Sequence, residues 1–283
     1  MKCKNNRTRK RHTRSHKNIK RYRGGNLPEQ TIHLVLYSQG EPFDTTKRKT
    51  IETVNKYTNK RVIIHDYNLD KIKERDWFKY IKDLPSIDKL GKRDGYYNSW
   101  KGFITKDVYD EMNDNDILYY VDSSQHYRVG FNENIDKLCD IVNKKGFIAG
   151  SVGDNVRNNT LGLCDNIKVW DKIIPNNDNK KYLDDRHVLN AWYILKKMEN
   201  NRPFIEEWVK WSVYKDDEFT DPLITYHSTV DQSIFNILVR KYNLPVFYSK
   251  NIKHDENKNK NTVLNIINNT KTPDDFFIYL NTG

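Results

Sequence analysis

Four short runs constrain this chain more than anything else in it: TIHLVLY (31–37), RVIIHDY (61–67), ILYYV (117–121) and GFIAGS (146–151). Each concentrates β-branched, aromatic or other apolar residues and stops at polar ones, the signature of a strand. Helix-compatible segments stand between them. A polar stretch covers 44–57, and residues 100–112 place Trp100, Phe103, Ile104, Val108 and Met112 at helical spacing. Strands alternating with helices predict an α/β fold: a mostly parallel central sheet, covered by helices on both faces.

Further along, the periodicity predicts mainly helix. HVLNAWYILKKM (187–198) sets Val188, Trp192 and Leu195 on one face, FIEEWVKW (204–211) reads as a second helix, and DQSIFNILVRKY (231–242) carries Ile234, Ile237, Leu238 and Tyr242 on a stripe. Such stripes are core-forming faces rather than cofactor contacts. NIKHDENKNKNT (251–262) is a polar loop, and DDFFIYL (274–280) is apolar enough to dock.

The 283 residues suffice for a sizeable core, and an aromatic content of 12% opposes general disorder despite the mean hydropathy of −0.90. No repeat or linker splits 27–283, which is expected to be one domain behind a tail, 1–26. Three cysteines, Cys3, Cys139 and Cys164, form no C-x-x-C and are odd in number. A disulfide framework or zinc site is not expected, and a reducing, cytoplasmic setting is. Neither a secretory h-region nor an apolar run of membrane-spanning length is present.

The net charge of +11 is a property of one end. Residues 1–25 hold eleven Lys or Arg and no acid, which leaves 38 basic against 38 acidic residues in the remainder. The domain is formally neutral. A tail of this composition is expected to be disordered. It suits contact with nucleic acid or another polyanion without sequence preference, a localisation signal, or a solubilising extension.

The third strand run ends in Asp122-Ser123-Ser124. In α/β sheets ligands bind beyond the carboxyl ends of the strands, so Asp122 is placed to face a crevice. A carboxylate there suits a hard divalent cation, Mg²⁺ or Mn²⁺, which takes oxygen ligands and often arrives with phosphates. Ser124, two residues on, points to the same side of an extended chain and suits a further ligand. An aspartate that merely caps a turn fits the same local sequence.

The neighbouring residues carry a resemblance. GYYNSWKGFITKDVYDEMNDNDILYYVDSSQHY (95–127) is similar to a glycosyltransferase family with a GT-A-type nucleotide-diphospho-sugar fold, known in bacteria and large DNA viruses. The family carries Gly-Tyr-Trp-x-Trp-Lys-Pro, then a helix, then a strand ending Tyr-x-Asp-Ser/Ala-Gly. Gly95, Tyr96, Trp100 and Lys101 echo the first block, and Asp116, Tyr120, Asp122 and Ser123 the second. FIEEWVKW resembles its Phe-(Ile/Val)-x-Glu-Trp segment. YHSTVDQSIFNILVRKY (226–242) resembles its His-Arg-His-Asp-Gln-Ser-Ile block, with Asp231, Gln232, Ser233 and Ile234 matching directly. Gly102 replaces the family's Pro, Ser124 replaces its Gly, and the second aspartate of an Asp-x-Asp is missing.

That resemblance implies transfer of a sugar from a nucleotide-diphosphate sugar, UDP-sugar foremost, to a hydroxyl on a glycan or protein. Tyr37, Ser38 and Gln39, with His65 and Asp66, would line the nucleotide pocket. Tyr96, Trp100, Lys101, Ser123 and Ser124 would complete the donor site, Lys101 as a point charge toward the phosphates. Asp122, Ser124, His227 and His254 would supply the Mn²⁺ or Mg²⁺ ligands. Asp231 and Gln232 would form the catalytic pair. A basic-tailed, non-catalytic binding or virion protein on the same fold is the alternative.

Overall fold

The computed structural model describes residues 30–83, 99–122, 135–151, 167–175, 178, 180–182, 187–214, 230–247 and 277–278. Within them the elements run β1 (Ile32–Tyr37), α1 (Phe43–Tyr57), β2 (Val62–Tyr67), α2 (Leu69–Lys73), α3 (Phe78–Ile81), α4 (Trp100–Glu111), β3 (Ile117–Asp122), α5 (Ile135–Lys145) and β4 (Phe147–Ser151). There follow α6 (Ile167–Ile173), β5 (Val188–Lys196), α7 (Arg202–Ser212), α8 (Val230–Lys241), β6 (Val246–Phe247) and β7 (Phe277–Ile278).

One sheet collects these strands in the order β2-β1-β3-β5-β4-β6-β7. The parallel order expected from the sequence holds for β2, β1 and β3. Beyond β3 the sheet is mixed: β5 runs antiparallel to both its neighbours, β6 is parallel to β4, and β7 is antiparallel to β6. The architecture is α/β, a mixed sheet between two helical layers. The apolar 274–280 run contributes β7, at the sheet edge.

Side chains of the central strands alternate between two cores. Ile32, Leu34, Leu36, Ile117, Tyr119, Val121, Trp192 and Ile194 pack against Val54 of α1 and Ile135, Leu138 and Val142 of α5. Val35, Leu118, Tyr120, Tyr193 and Leu195 face the larger core of α2, α3, α4, α6, α7 and α8. Because both faces are covered, the strand sequences read as unbroken apolar runs.

The 187–198 segment corrects a sequence expectation. It is strand β5, not helix. Its i, i+4, i+7 pattern arose because nearly every residue from Val188 to Leu195 is buried, so any spacing can be found in it. Periodicity does not separate a short, doubly covered strand from a buried helix.

β5 is also irregular. Ala149 faces Tyr193, but the next β4 residue, Gly150, faces Leu189. Asn190, Ala191 and Trp192 are therefore bulged out of the β4 ladder. The first two turns of α8 satisfy the strand backbone there. Gln232 Oε1 accepts from Asn190 N at 3.1 Å, and Asn236 accepts from Val188 N at 2.7 Å and donates to Val188 O at 3.0 Å. Buried backbone groups need partners, and side-chain amides of α8 supply what the broken ladder does not.

Candidate functional site

β1 and β3 lie side by side, and their last residues, Tyr37 and Asp122, are register partners. From β1 the chain first crosses to β2 on one side and then to β3 on the other. The carboxyl ends of this pair therefore open at the point where the connections change direction, the place where α/β sheets bind ligands. Both side chains belong to the face that carries α4, α7 and α8.

Helix α4 begins at this crevice and places two residues in it. Trp100 stacks on Tyr37 with ring centroids 3.8 Å apart. Its indole N–H is buried with no acceptor among the described residues. An unanswered buried donor costs about 1–3 kcal/mol, so one kept beside a crevice is a group that a ligand or water can satisfy. Lys101 is 4% exposed; its ammonium donates to Asp122 Oδ2 at 3.2 Å and to Asn190 Oδ1 at 3.4 Å, and lies over the rings of Trp100 and Tyr120.

Asp122 is held from both sides. Tyr120 Oη donates to Oδ1, and Lys101 to Oδ2. Burial pushes the Tyr120 hydroxyl well above its ordinary range, so it remains a donor. Beneath lie Tyr193, stacked on Tyr120 at 4.9 Å, and Thr105, bonded to the Tyr193 hydroxyl and to Lys101 O.

Asp231 closes the network from the first turn of α8. Asn190 Nδ2 donates to its Oδ2, and Trp208 Nε1 to its Oδ1 at 3.3 Å. The residue is 1% exposed. Burial raises its pKa from 3.8 to about 7; the Lys101 charge and the two N–H donors pull it down, and Asp122 pushes it up. The bulge in β5 is what aims Asn190 between Lys101 and Asp231.

The residues expected from sequence thus divide. Tyr37, Trp100, Lys101, Asp122 and Asp231 converge. Gln232 is adjacent, but its amide serves β5: Oε1 accepts from Asn190 N and Nε2 donates to Val188 O at 2.5 Å. Ser38 donates to Asp44 at the start of α1, and Gln39 Oε1 accepts from Leu69 N at 3.1 Å, so both organise loops after β1. Asp66 pairs with Lys47 of α1 at 2.5 Å and with Lys71 at 3.4 Å.

His65 bonds His33 (Nε2 to Nδ1, 2.9 Å), whose other nitrogen lies 3.4 Å from Asp116. Burial first, then the neighbouring His33, lowers the pKa of His65 to about 4, so this pair is neutral near pH 7. Asp116 precedes β3, at the end of the strand opposite Asp122. Tyr96, Ser123, Ser124, His227 and His254 lie outside the described residues.

Sequence reasoning missed Asn190, Trp208 and Tyr120 as site members. Trp208 sits in the recognisable FIEEWVKW run, yet nothing in that run signals that its indole N–H meets a carboxylate.

Of the four residues expected to hold a divalent metal, Asp122 alone lies among the described residues. No group of three or more His, Cys, Asp or Glu able to hold a metal ion is present among them. Both Asp122 oxygens already accept from donors, one of them a cation. A 2+ ion bound to Asp122 would be repelled by the Lys101 ammonium, which lies 3.2 Å from Oδ2.

Among the described residues, no helix is long and apolar enough to cross a membrane. No protein-family model matches the chain, and no curated protein matches it.

Proposed function

We propose that the chain is a GT-A-type transferase that moves a sugar from a nucleotide-diphosphate sugar, foremost a UDP-sugar, to a hydroxyl on a glycan or protein. One observation carries this reading: Tyr37 and Asp122, register partners across the switch point of the sheet, are joined there by Trp100, Lys101 and Asp231. The stacked aromatic pair suits a nucleobase or sugar face. Lys101 suits the diphosphate.

In the reaction, the acceptor hydroxyl oxygen bonds to the anomeric carbon while the bond from that carbon to the phosphate oxygen breaks. The bonding pair leaves with the nucleoside diphosphate. The hydroxyl proton passes to a base, and in an inverting transfer Asp231 takes it. A carboxylate with a pKa of about 7 is well matched to that task near neutral pH. In a retaining transfer Asp231 would stabilise the sugar instead. Asn190 and Trp208 orient the carboxylate in either case.

A thermal-shift panel of UDP, GDP and their common sugars, run in Mn²⁺ and in EDTA, tests the reading. UDP at about a hundred times its Kd should raise the melting temperature by about 5 °C or more. Failure of every nucleotide in both buffers would leave the non-catalytic alternative.

A further inference from the structure

We propose that the Lys101 ammonium, not a divalent cation, meets the diphosphate of a nucleotide in this crevice, and that Asp122 is its counter-ion rather than a metal ligand. The inference rests on the donor-site reading above but can fail without it. Three observations carry it.

First, Lys101 is buried yet kept charged-partnered, with Asp122 Oδ2 at 3.2 Å and Asn190 Oδ1 at 3.4 Å. An ammonium has three N–H donors, and these acceptors use two, which leaves one for a ligand. Second, the aromatic faces of Trp100 and Tyr120 lie 5.7 and 5.6 Å from the ammonium nitrogen. They stabilise a cation in a place where few waters can. Third, Tyr120 Oη occupies the remaining oxygen of Asp122. Both oxygens of the carboxylate are thus already engaged, one of them by a cation, and a metal ion would have to share them.

The arrangement makes the two assignments diverge at one substitution. Asp122→Asn removes a negative charge from beside the diphosphate and keeps the side-chain shape. The amide oxygen can accept from Lys101, and the amide N–H₂ can donate to the Tyr120 hydroxyl, which is an acceptor as well as a donor. If Asp122 is a counter-ion, diphosphates should bind this variant at least as tightly as the parent. If it is a metal ligand, they should be lost.

Isothermal titration of the full chain with UDP and with inorganic pyrophosphate, in EDTA and in Mn²⁺, decides the matter. In EDTA, UDP should bind within about threefold of its affinity in Mn²⁺, Lys101→Gln should weaken it by about tenfold or more, and Asp122→Asn should hold or tighten it by up to about tenfold. Binding that requires Mn²⁺ and disappears in Asp122→Asn overturns the inference and leaves the transferase reading intact. UDP binding in EDTA that a folded Lys101→Gln variant does not weaken overturns it as well. No UDP binding in either buffer removes the donor site and this inference together. Should Lys101→Gln fail to fold, as far-UV circular dichroism would show, the sign of the Asp122→Asn effect still decides.

Discussion

Asp231 carries its carboxyl where water scarcely reaches, and its protonation must therefore register in stability. Unfolded, such a group titrates near 3.8; folded, at about 7. Between those values the folded chain holds a proton that the unfolded chain has lost. Stability from this residue accordingly falls as pH rises from about 4 to 7 and is level above, by an amount on the order of 4 kcal/mol. Urea unfolding of the parent and Asp231→Asn at pH 5 and pH 8 isolates the effect. The parent should lose stability relative to the variant between the two pH values; an unchanged difference would mean an ordinary carboxylate. At this scale the sequence was partly legible. Asp122 stood out because the end of a strand is visible in the pattern, whereas Tyr37, Trp100, Lys101 and Asp231 were reached through the resemblance of their motifs to a transferase family. Asn190 did not stand out, because its importance comes from a bulge, and a bulge is a relation between two strands rather than a property of either.

Beside that bulge β4 and β5 approach closely. A Cβ added at Gly150 would lie 2.6 Å from Cε2 and Nε1 of Trp192 and closer still to Cζ2. Trp192 is 2% exposed and packs toward α1 and α5, so its ring has nowhere to retreat. Gly150→Ala should therefore cost about 1–3 kcal/mol through overpacking, measured by urea unfolding. Adding Trp192→Phe should return part of that loss, a coupling that a double-mutant cycle would read directly. If the two changes simply add, the close approach is not what fixes the bulge. Elsewhere the sequence spacing located α4, α7 and α8 within a few residues, and the four apolar runs became β1 to β4. α2, α3, α5, α6 and β6 were not picked out, and β5 was misread. Its neighbours on both faces bury it, and burial on both faces erases the alternation by which strands are told from helices. Gly102 tells a related story: its missing side chain lets α4 approach α7, where a Cβ would meet Ser212 Oγ at 3.2 Å and the Trp208 ring at 3.4 Å. Trp208, which donates to Asp231, stands at this seam, so Gly102 sits where α4 packs on α7.

Charge is distributed over the whole chain in a way that separates two kinds of binding. Eleven basic residues fall within 1–25, while the remainder balances 38 against 38. Any long-range attraction for polyanions would therefore come from residues 1–25, and the proposed recognition of a small diphosphate from the crevice, where Lys101 would act at hydrogen-bond distance. The two should respond to salt differently. Polyanion binding through the tail releases counterions, and if all eleven cations meet phosphates of a duplex, log K should fall with log salt with a slope of about −10. Fewer contacts give a shallower line. A buried site with one ammonium has no such dependence beyond ordinary screening. Deleting residues 1–25 should abolish duplex binding at low salt and leave UDP binding within about twofold, because nothing in the neutral domain replaces the lost field. Filter binding with a random-sequence duplex, from 50 to 200 mM salt, measures the first, and calorimetry with UDP the second. Duplex binding that survives the deletion would place a basic surface on the domain, against its neutral charge count. UDP binding lost with the tail would mean that the tail reaches the crevice.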